Sequence, residues 1–207
     1  MEEKLNKALD AFEKGDYPTS FEIFKPLAEQ GNAKAQFHLG FLYRIGQAVN
    51  QDYQKAYDWY LLSAEQGYAE AQYKIGLMHY KGQVVTQDYQ KAYHWYTLAA
   101  KQGDVKAQFN LGVLYRRGQG VDMDHGEAFH WFSLSAERGY AIGQFTLGGV
   151  YEAGQGVGRD YEEAVKWLKL AGEQGYADAQ YKLGWMYYHG EGVTQDYQKA
   201  FQWYSLA

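Results

Sequence analysis

The sequence predicts an all-α protein built as a linear array of helix pairs, and three observations carry that prediction. First, Trp59, Trp95, Trp131, Trp167 and Trp203 lie 36 residues apart, and the string QDYQKAY at Gln51 and Gln87 returns as QDYQKAF at Gln195. Self-similarity at such a period marks a stacked repeat architecture. Second, the same spacing links Gly31, Gly67, Gly103, Gly139 and Gly175, then Gln36, Gln72, Gln108, Gln144 and Gln180, then Gly40, Gly76, Gly112, Gly148 and Gly184. Third, the chain has 24 Gly and only 2 Pro, yet 18 % of its residues are aromatic, with six Trp and 21 Tyr. Flexible Gly-rich chains lack such residues, so these glycines hold fixed positions. No linker or low-complexity segment interrupts the pattern. The expected organisation is one repeat domain over 1–207, with an opening helix at 1–15, repeats at 16–51, 52–87, 88–123, 124–159 and 160–195, and a partial repeat at 196–207.

Each unit reads as two helices, as the repeat at 52–87 shows. Asp52 is a good N-cap, because its carboxylate can accept from free backbone N–H groups. Ala56, Trp59, Tyr60, Ser63 and Ala64 then share one stripe at helical spacing. Gly67 ends this helix in the left-handed position that usually follows a C-terminus. A second helix is expected from about Ala69 to Lys81, with Ala71, Tyr73, Ile75, Gly76 and Met78 inward, and Gly82 closes it. Three other loops carry Gly-x-Gly-Val, at Gly118–Val121, Gly154–Val157 and Gly190–Val193. In each, the single valine is expected to plug between layers.

Glycine inside a helix costs about 1 kcal/mol relative to Ala. Gly40, Gly76, Gly112, Gly148 and Gly184 are therefore expected where another backbone comes close, with Ala56, Ala92, Ala128, Ala164 and Ala200 as the small residues on the facing helix. Trp and Tyr then fill the wider gaps between layers. No unit buries its faces alone, so stability comes from neighbour contacts along the stack.

The remaining composition excludes whole classes of function. With 20 Lys+Arg against 25 Asp+Glu the net charge is −5, and no basic block occurs, which argues against a nucleic-acid binder. Cysteine is absent, which removes disulfides, thiolate metal sites and a Cys nucleophile. No apolar run approaches membrane-spanning length, so no membrane insertion is expected. The start, MEEKLNKALDAFEKG, lacks the apolar segment of a secretory signal. The compartment reads as cytoplasmic for the chain as written, and as periplasmic or secreted if a signal was removed before it.

Catalytic signals are poor: there is no G-x-S-x-G elbow, no H-E-x-x-H helix and no P-loop. Gly154-Gln155-Gly156-Val157-Gly158-Arg159 lacks the last glycine of a dinucleotide fingerprint and a preceding strand, and reads as a helix-ending loop. His94 and His130 lie one repeat apart with Glu127 one turn before His130, a set that could hold a metal. The same register carries Asp58, Lys166 and Gln202 elsewhere, which reads as a solvated face, so no metal, cofactor or catalytic residue is assigned.

The pattern AEAQYKIGLMHYKG followed by DYQKAYHWYTLAAKQG resembles the Sel-one-like repeat, a relative of the tetratricopeptide repeat, and the resemblance runs from residue 16 to 207. The departures are local: His79 replaces a second-helix tyrosine, Ile23 stands in the Trp register, and Pro26 sits within the first helix of its unit. The resemblance implies a right-handed, tetratricopeptide-like α-solenoid, expected here to be bacterial, whose concave face binds a protein or peptide. By that likeness the groove is lined by Lys34, His38, Phe41, Arg44, Glu70, Lys74, Leu77 and Tyr80. It continues through Lys106, Asn110, Val113, Arg116 and Arg117 to Asp178, Lys182, Trp185 and Tyr188. Lys74, Leu77 and Lys81 independently share one helix face, opposite the glycine side. Large apolar groups on such a face call for a partner. Trp185, the one Trp outside the 36-residue register, is either a groove anchor or a packing residue for a further unit.

The resemblance also leaves two other roles open. Some exported bacterial relatives are linked to the cell envelope and to β-lactam or muropeptide binding, and the chain could also be a passive spacer in a larger assembly. Charge in the expected row is uneven: its first three units carry Lys34, Arg44, Lys74, Lys81, Lys106, Arg116 and Arg117 against Glu70 alone. The functional reading of this is capture of an acidic segment or a chain-terminal carboxylate. A solvated polar face is the bland alternative. The partial repeat keeps Tyr197, Ala200, Phe201, Trp203 and Tyr204, an interior composition. Residues 196–207 are thus expected either to associate end to end or to cap the stack.

Overall fold

The computed structural model describes residues 2–207, so the first residue of the expected opening segment lies outside the described residues. Among the described residues there are twelve helices and no strand. Two compact units divide at Asp104. The N-terminal unit contains α1 (Glu2–Glu13), α2 (Tyr17–Glu29), α3 (Ala33–Ile45), α4 (Tyr53–Glu65), α5 (Ala69–Lys81) and α6 (Tyr89–Lys101). The C-terminal unit contains α7 (Val105–Arg117), α8 (His125–Glu137), α9 (Ala141–Ala153), α10 (Tyr161–Glu173), α11 (Ala177–His189) and α12 (Tyr197–Leu206). No helix among the described residues is long and apolar enough to cross a membrane.

Helix starts and stops follow the chemistry of single residues. Asp52 and Asp88 accept the amides of Lys55 and Lys91 at 2.9 Å, and Asp160 and Asp196 do the same for Glu163 and Lys199. Those amide bonds hold the Asp52, Asp88 and Asp196 carboxyls below the usual carboxylate range. The second helices begin differently. Tyr68, Tyr140 and Tyr176 occupy the N-cap without a side-chain cap bond. Their rings pack instead on Phe37, Phe109 and Phe145, at centroid distances of 5.3, 5.6 and 5.1 Å. Gly46, Gly82, Gly154 and Gly190 end second helices in the left-handed conformation. Val157 and Val193 tuck their loops against the core, as the loop pattern led us to expect, and Val85 does the same in a loop that lacks the pattern. Helix α2 runs on through Pro26.

The mid-helix glycines make room for rings more than for backbones. A Cβ on Gly40 would sit 3.0 Å from the Tyr60 ring and 3.1 Å from the Ala56 carbonyl oxygen. On Gly112 it would meet the Phe132 ring at 2.8 Å and the Ala128 oxygen at 3.2 Å, and on Gly76 and Gly184 the rings of Tyr96 and Tyr204. The alanines do bring the facing backbone close, but the residue one turn later fills the notch.

Glutamine has a second structural role. Gln36, Gln72, Gln144 and Gln180 are buried, and each donates through Nε2 to a carbonyl near the end of the preceding helix: Ala28, Ala64, Ala136 and Gly172. The Oε1 atoms of Gln36, Gln72 and Gln144 accept from Gln66, Gln102 and Gln174 at 2.6, 2.8 and 2.7 Å. A buried amide with both ends satisfied ties successive layers together and fixes their spacing.

Candidate partner-binding surface

In the N-terminal unit, α3, α4 and α5 leave a hollow of about 560 Å³. Arg44, Lys74 and Lys81 supply its cations, Tyr53, Tyr60, Leu77, Met78 and Val84 its apolar wall, and Gln83 its rim. No carboxylate lines it. The Arg44 guanidinium lies over the Phe41 ring, 4.8 Å from its centroid. Arg44 Nε and Tyr60 Oη are both buried, and neither meets an acceptor. Burial pushes the Tyr60 phenol up to about 12 although Arg44 opposes the shift. Tyr60 therefore faces the hollow as a neutral phenol.

Of the residues expected in the row, the hollow unites Arg44, Lys74, Leu77 and Lys81. His38 is a packing residue. Its ring stacks on Phe24 at 4.9 Å and meets the edges of Phe12 and Phe37. Burial, helped by the charge of Lys34, lowers its pKa to about 4. Phe41 packs edge-on against Phe12 at 5.3 Å, and Tyr80 turns toward Tyr89 and Tyr96, away from the hollow. Lys34 is half-buried beside His38. The lining residues that sequence reasoning missed are Tyr53, Tyr60, Met78, Gln83 and Val84. Tyr60 lies in the register read as layer filler, and no signal in the sequence marks its hydroxyl as unpartnered.

The C-terminal unit treats the same row differently. Lys106 and Arg117 are exposed and Asn110 is half-buried. Arg116 lies over the Phe132 ring at 5.2 Å, and burial lowers its pKa. Val113, expected on the row, is only 8 % exposed and belongs to the core with Phe132 and Leu147. Lys182 pairs with Glu152 at 2.7 Å and lies 4.8 Å from the Trp185 ring. Trp185 is half-buried, packed on its own core and 4.4 Å from the His189 ring. Tyr188 is 49 % exposed beside Tyr197. On α12, Ala200 is buried and Tyr204 fills the notch at Gly184, while Tyr197, Phe201 and Leu206 remain exposed. Glu127 accepts from Trp131 Nε1 at 3.1 Å, and His94 and His130 are exposed.

The helix pairs that pack most extensively are α3 with α4, α5 with α6, α7 with α8, α9 with α10 and α11 with α12. The family model of the Sel1 repeat matches residues 33–68, 69–104, 105–140, 141–176 and 177–207, and so opens each unit on the first helix of such a pair. The chain belongs to the Sel1 repeat family. It is similar to c5321 of uropathogenic Escherichia coli, a protective antigen displaying an SLR fold, with 44 % identity and a TM-score of 0.87. That match covers 90 % of this chain but only 40 % of c5321. A Sel1 repeat protein from Oxalobacter formigenes shares 30 % identity over 98 % of this chain and 81 % of its own, with a TM-score of 0.92. The immunity protein Pa5087 of Pseudomonas aeruginosa is 25 % identical over 90 % of this chain and 72 % of its own, with a TM-score of 0.57. No curated protein matches the chain. These likenesses establish an all-α helical repeat solenoid. Sel1 repeat proteins are generally protein-interaction scaffolds, and the fold is typically non-catalytic.

Proposed function

We propose that this Sel1 repeat chain is a protein-interaction scaffold that displays the surface of its second helices to a partner segment with acidic character. The observation that carries the reading is the gathering of Arg44, Lys74 and Lys81 around an apolar-walled hollow in a chain of net charge −5. Like charges held together repel, and a complementary anionic partner relieves that repulsion. The mechanism is display. Layers locked by glutamine amides and ring-filled notches hold the second helices rigid, so a partner meets a surface that is already organised.

Replacing Lys74, Lys106 and Arg116 together by Ser is expected to weaken partner binding and flatten its salt dependence. Screening over about 8 Å at physiological salt makes that slope measurable. A partner recovered on the immobilised wild-type protein supplies the ligand. Titrations from low to high salt then compare the two proteins, with thermal midpoints confirming that both are folded. The same affinity and the same slope for the triple variant would contradict the acidic-partner reading.

A further inference from the structure

We infer that the hollow formed by α3, α4 and α5 is a carboxylate site, which takes an acidic group on a peptide next to an apolar side chain. The inference rests on the scaffold reading and gives that reading its chemistry. Tyr60 is fully buried and lines the hollow, and the side chain that acts on its hydroxyl is Arg44, itself a donor, which leaves the phenol proton without an acceptor. Arg44 Nε is buried and unpartnered in the same place. Arginine can only donate, and a neutral phenol has one proton to give. What the pair lacks is an acceptor. Buried polar groups almost always find a partner, so two unmatched donors facing one cavity point to a ligand that accepts from both. Arg44 packs over the Phe41 ring, and a guanidinium matches the planar, two-oxygen geometry of a carboxylate.

The repeat supplies an internal comparison. Two units further on, Arg116 recurs in a hollow of about 420 Å³ in the C-terminal unit. There Phe132 stands where Tyr60 would be, Thr146 replaces Lys74 and Ala153 replaces Lys81. That hollow also contains Glu152, paired with Lys182. A carboxylate of the chain itself thus stands in the C-terminal hollow, whereas among the described residues none lines the N-terminal one. Val84 adds a further feature. It holds φ at 70° on the wall of the N-terminal hollow, where the later repeats place Gly120, Gly156 and Gly192. A β-branched residue in that conformation is strained, and strain of this kind collects at functional sites. Here it puts an isopropyl group beside the cations, as a site for an acid with an apolar neighbour requires.

The test follows the Arg44 Nε–H signal by NMR in the full chain. The probes are the acetylated amide of Leu-Asp, acetylated Leu-Leu with a free carboxylate, the acetylated amide of Leu-Asn, and inorganic phosphate. Both acids are expected to shift the Arg44 signal and to saturate, with the Leu-Asn amide about tenfold weaker for want of a charge-assisted bond. Whichever acid binds more tightly tells an internal acidic residue from a chain terminus, and either result supports the site. Tyr60→Phe and exposed Lys81→Ser are each expected to weaken the acids several-fold and to leave the Leu-Asn amide unchanged. Phenylalanine already fills the Tyr60 register at Phe24 and Phe132, so Tyr60→Phe should keep its thermal midpoint or raise it while losing affinity. Equal binding of the acids and the amide would overturn the site, as would phosphate binding as tightly as either acid. Failure here with a partner still held on the second helices would sink the carboxylate site alone. Acid binding at Arg44 with no partner on those helices would sink the scaffold reading alone.

Discussion

Replacing Gly112 by Leu is expected to destabilise the C-terminal unit by about 3 kcal/mol, at the top of the range for overpacking a filled core. A Cβ alone would lie 2.8 Å from the Phe132 ring and 3.2 Å from the Ala128 carbonyl oxygen, and neither neighbour is the free end of a flexible chain. Phe132 is fully buried and cannot swing outward, so α7 and α8 must separate to admit the side chain. In a repeat array the loss of one interface loosens its neighbours, so the unfolding transition should broaden as well as shift. Gly149→Ala is the internal control. Gly149 is an exposed helical glycine with nothing within 4 Å of an added Cβ, and alanine there should gain up to about 1 kcal/mol through helix propensity. Urea unfolding of both variants checks the pair. Equal effects, or an unchanged transition for Gly112→Leu, would remove the packing account of the glycine register.

Acid should destabilise the N-terminal unit through His38. Burial against Phe24, Phe12 and Phe37, with Lys34 adding to the shift, lowers its pKa from the ordinary 6.5 to about 4. Between those two values the unfolded chain holds a proton that the folded chain does not. The contribution is therefore fully present above pH 6.5 and is lost as pH falls toward 4, by about 3 kcal/mol in total. Carboxylates titrate in the lower part of the same window, so the decisive quantity is the difference from a variant. His38→Asn introduces the residue that Asn110 shows to be compatible with the register, and it should remove this part of the slope. An identical loss of stability in the variant from pH 7 to 4 would contradict the assignment.

The architecture was legible because one residue type at one register has one local consequence. An aspartate before a helical stripe caps it, a glycine after the stripe ends it, and the 36-residue spacing repeats both. The binding surface was less legible, because exposure on a helix depends on what the neighbouring layer places over it. His38 and Phe41 sit on the expected face, yet Phe12 from the opening helix packs against both. Val113 shares that face and is buried in the core with Phe132 and Leu147. Tyr60 was read from its buried stripe as filler, and the stripe is correct. Its hydroxyl matters because Arg44 and Lys74, from two other helices, meet at the same hollow, and periodicity within one helix cannot show that. The glutamine register was visible without its purpose, since an amide's two partners lie 8 and 30 residues away.

The central claim is that the partner meets the surface of the second helices, with the hollow to which α4 lends Tyr53 and Tyr60, and not the exposed first-helix positions Asp58 and Glu162. Photo-crosslinking in cells tests it most directly, with a photoreactive residue placed singly at Leu77, Lys106 or Tyr188 on the second helices, and at exposed Asp58 or Glu162 on the first helices. The account predicts that the three second-helix positions capture one and the same partner, that Asp58 and Glu162 do not, and that high salt reduces capture at Leu77 and Lys106. Capture of that partner at Asp58 and Glu162, with none at Leu77, Lys106 and Tyr188, would contradict it.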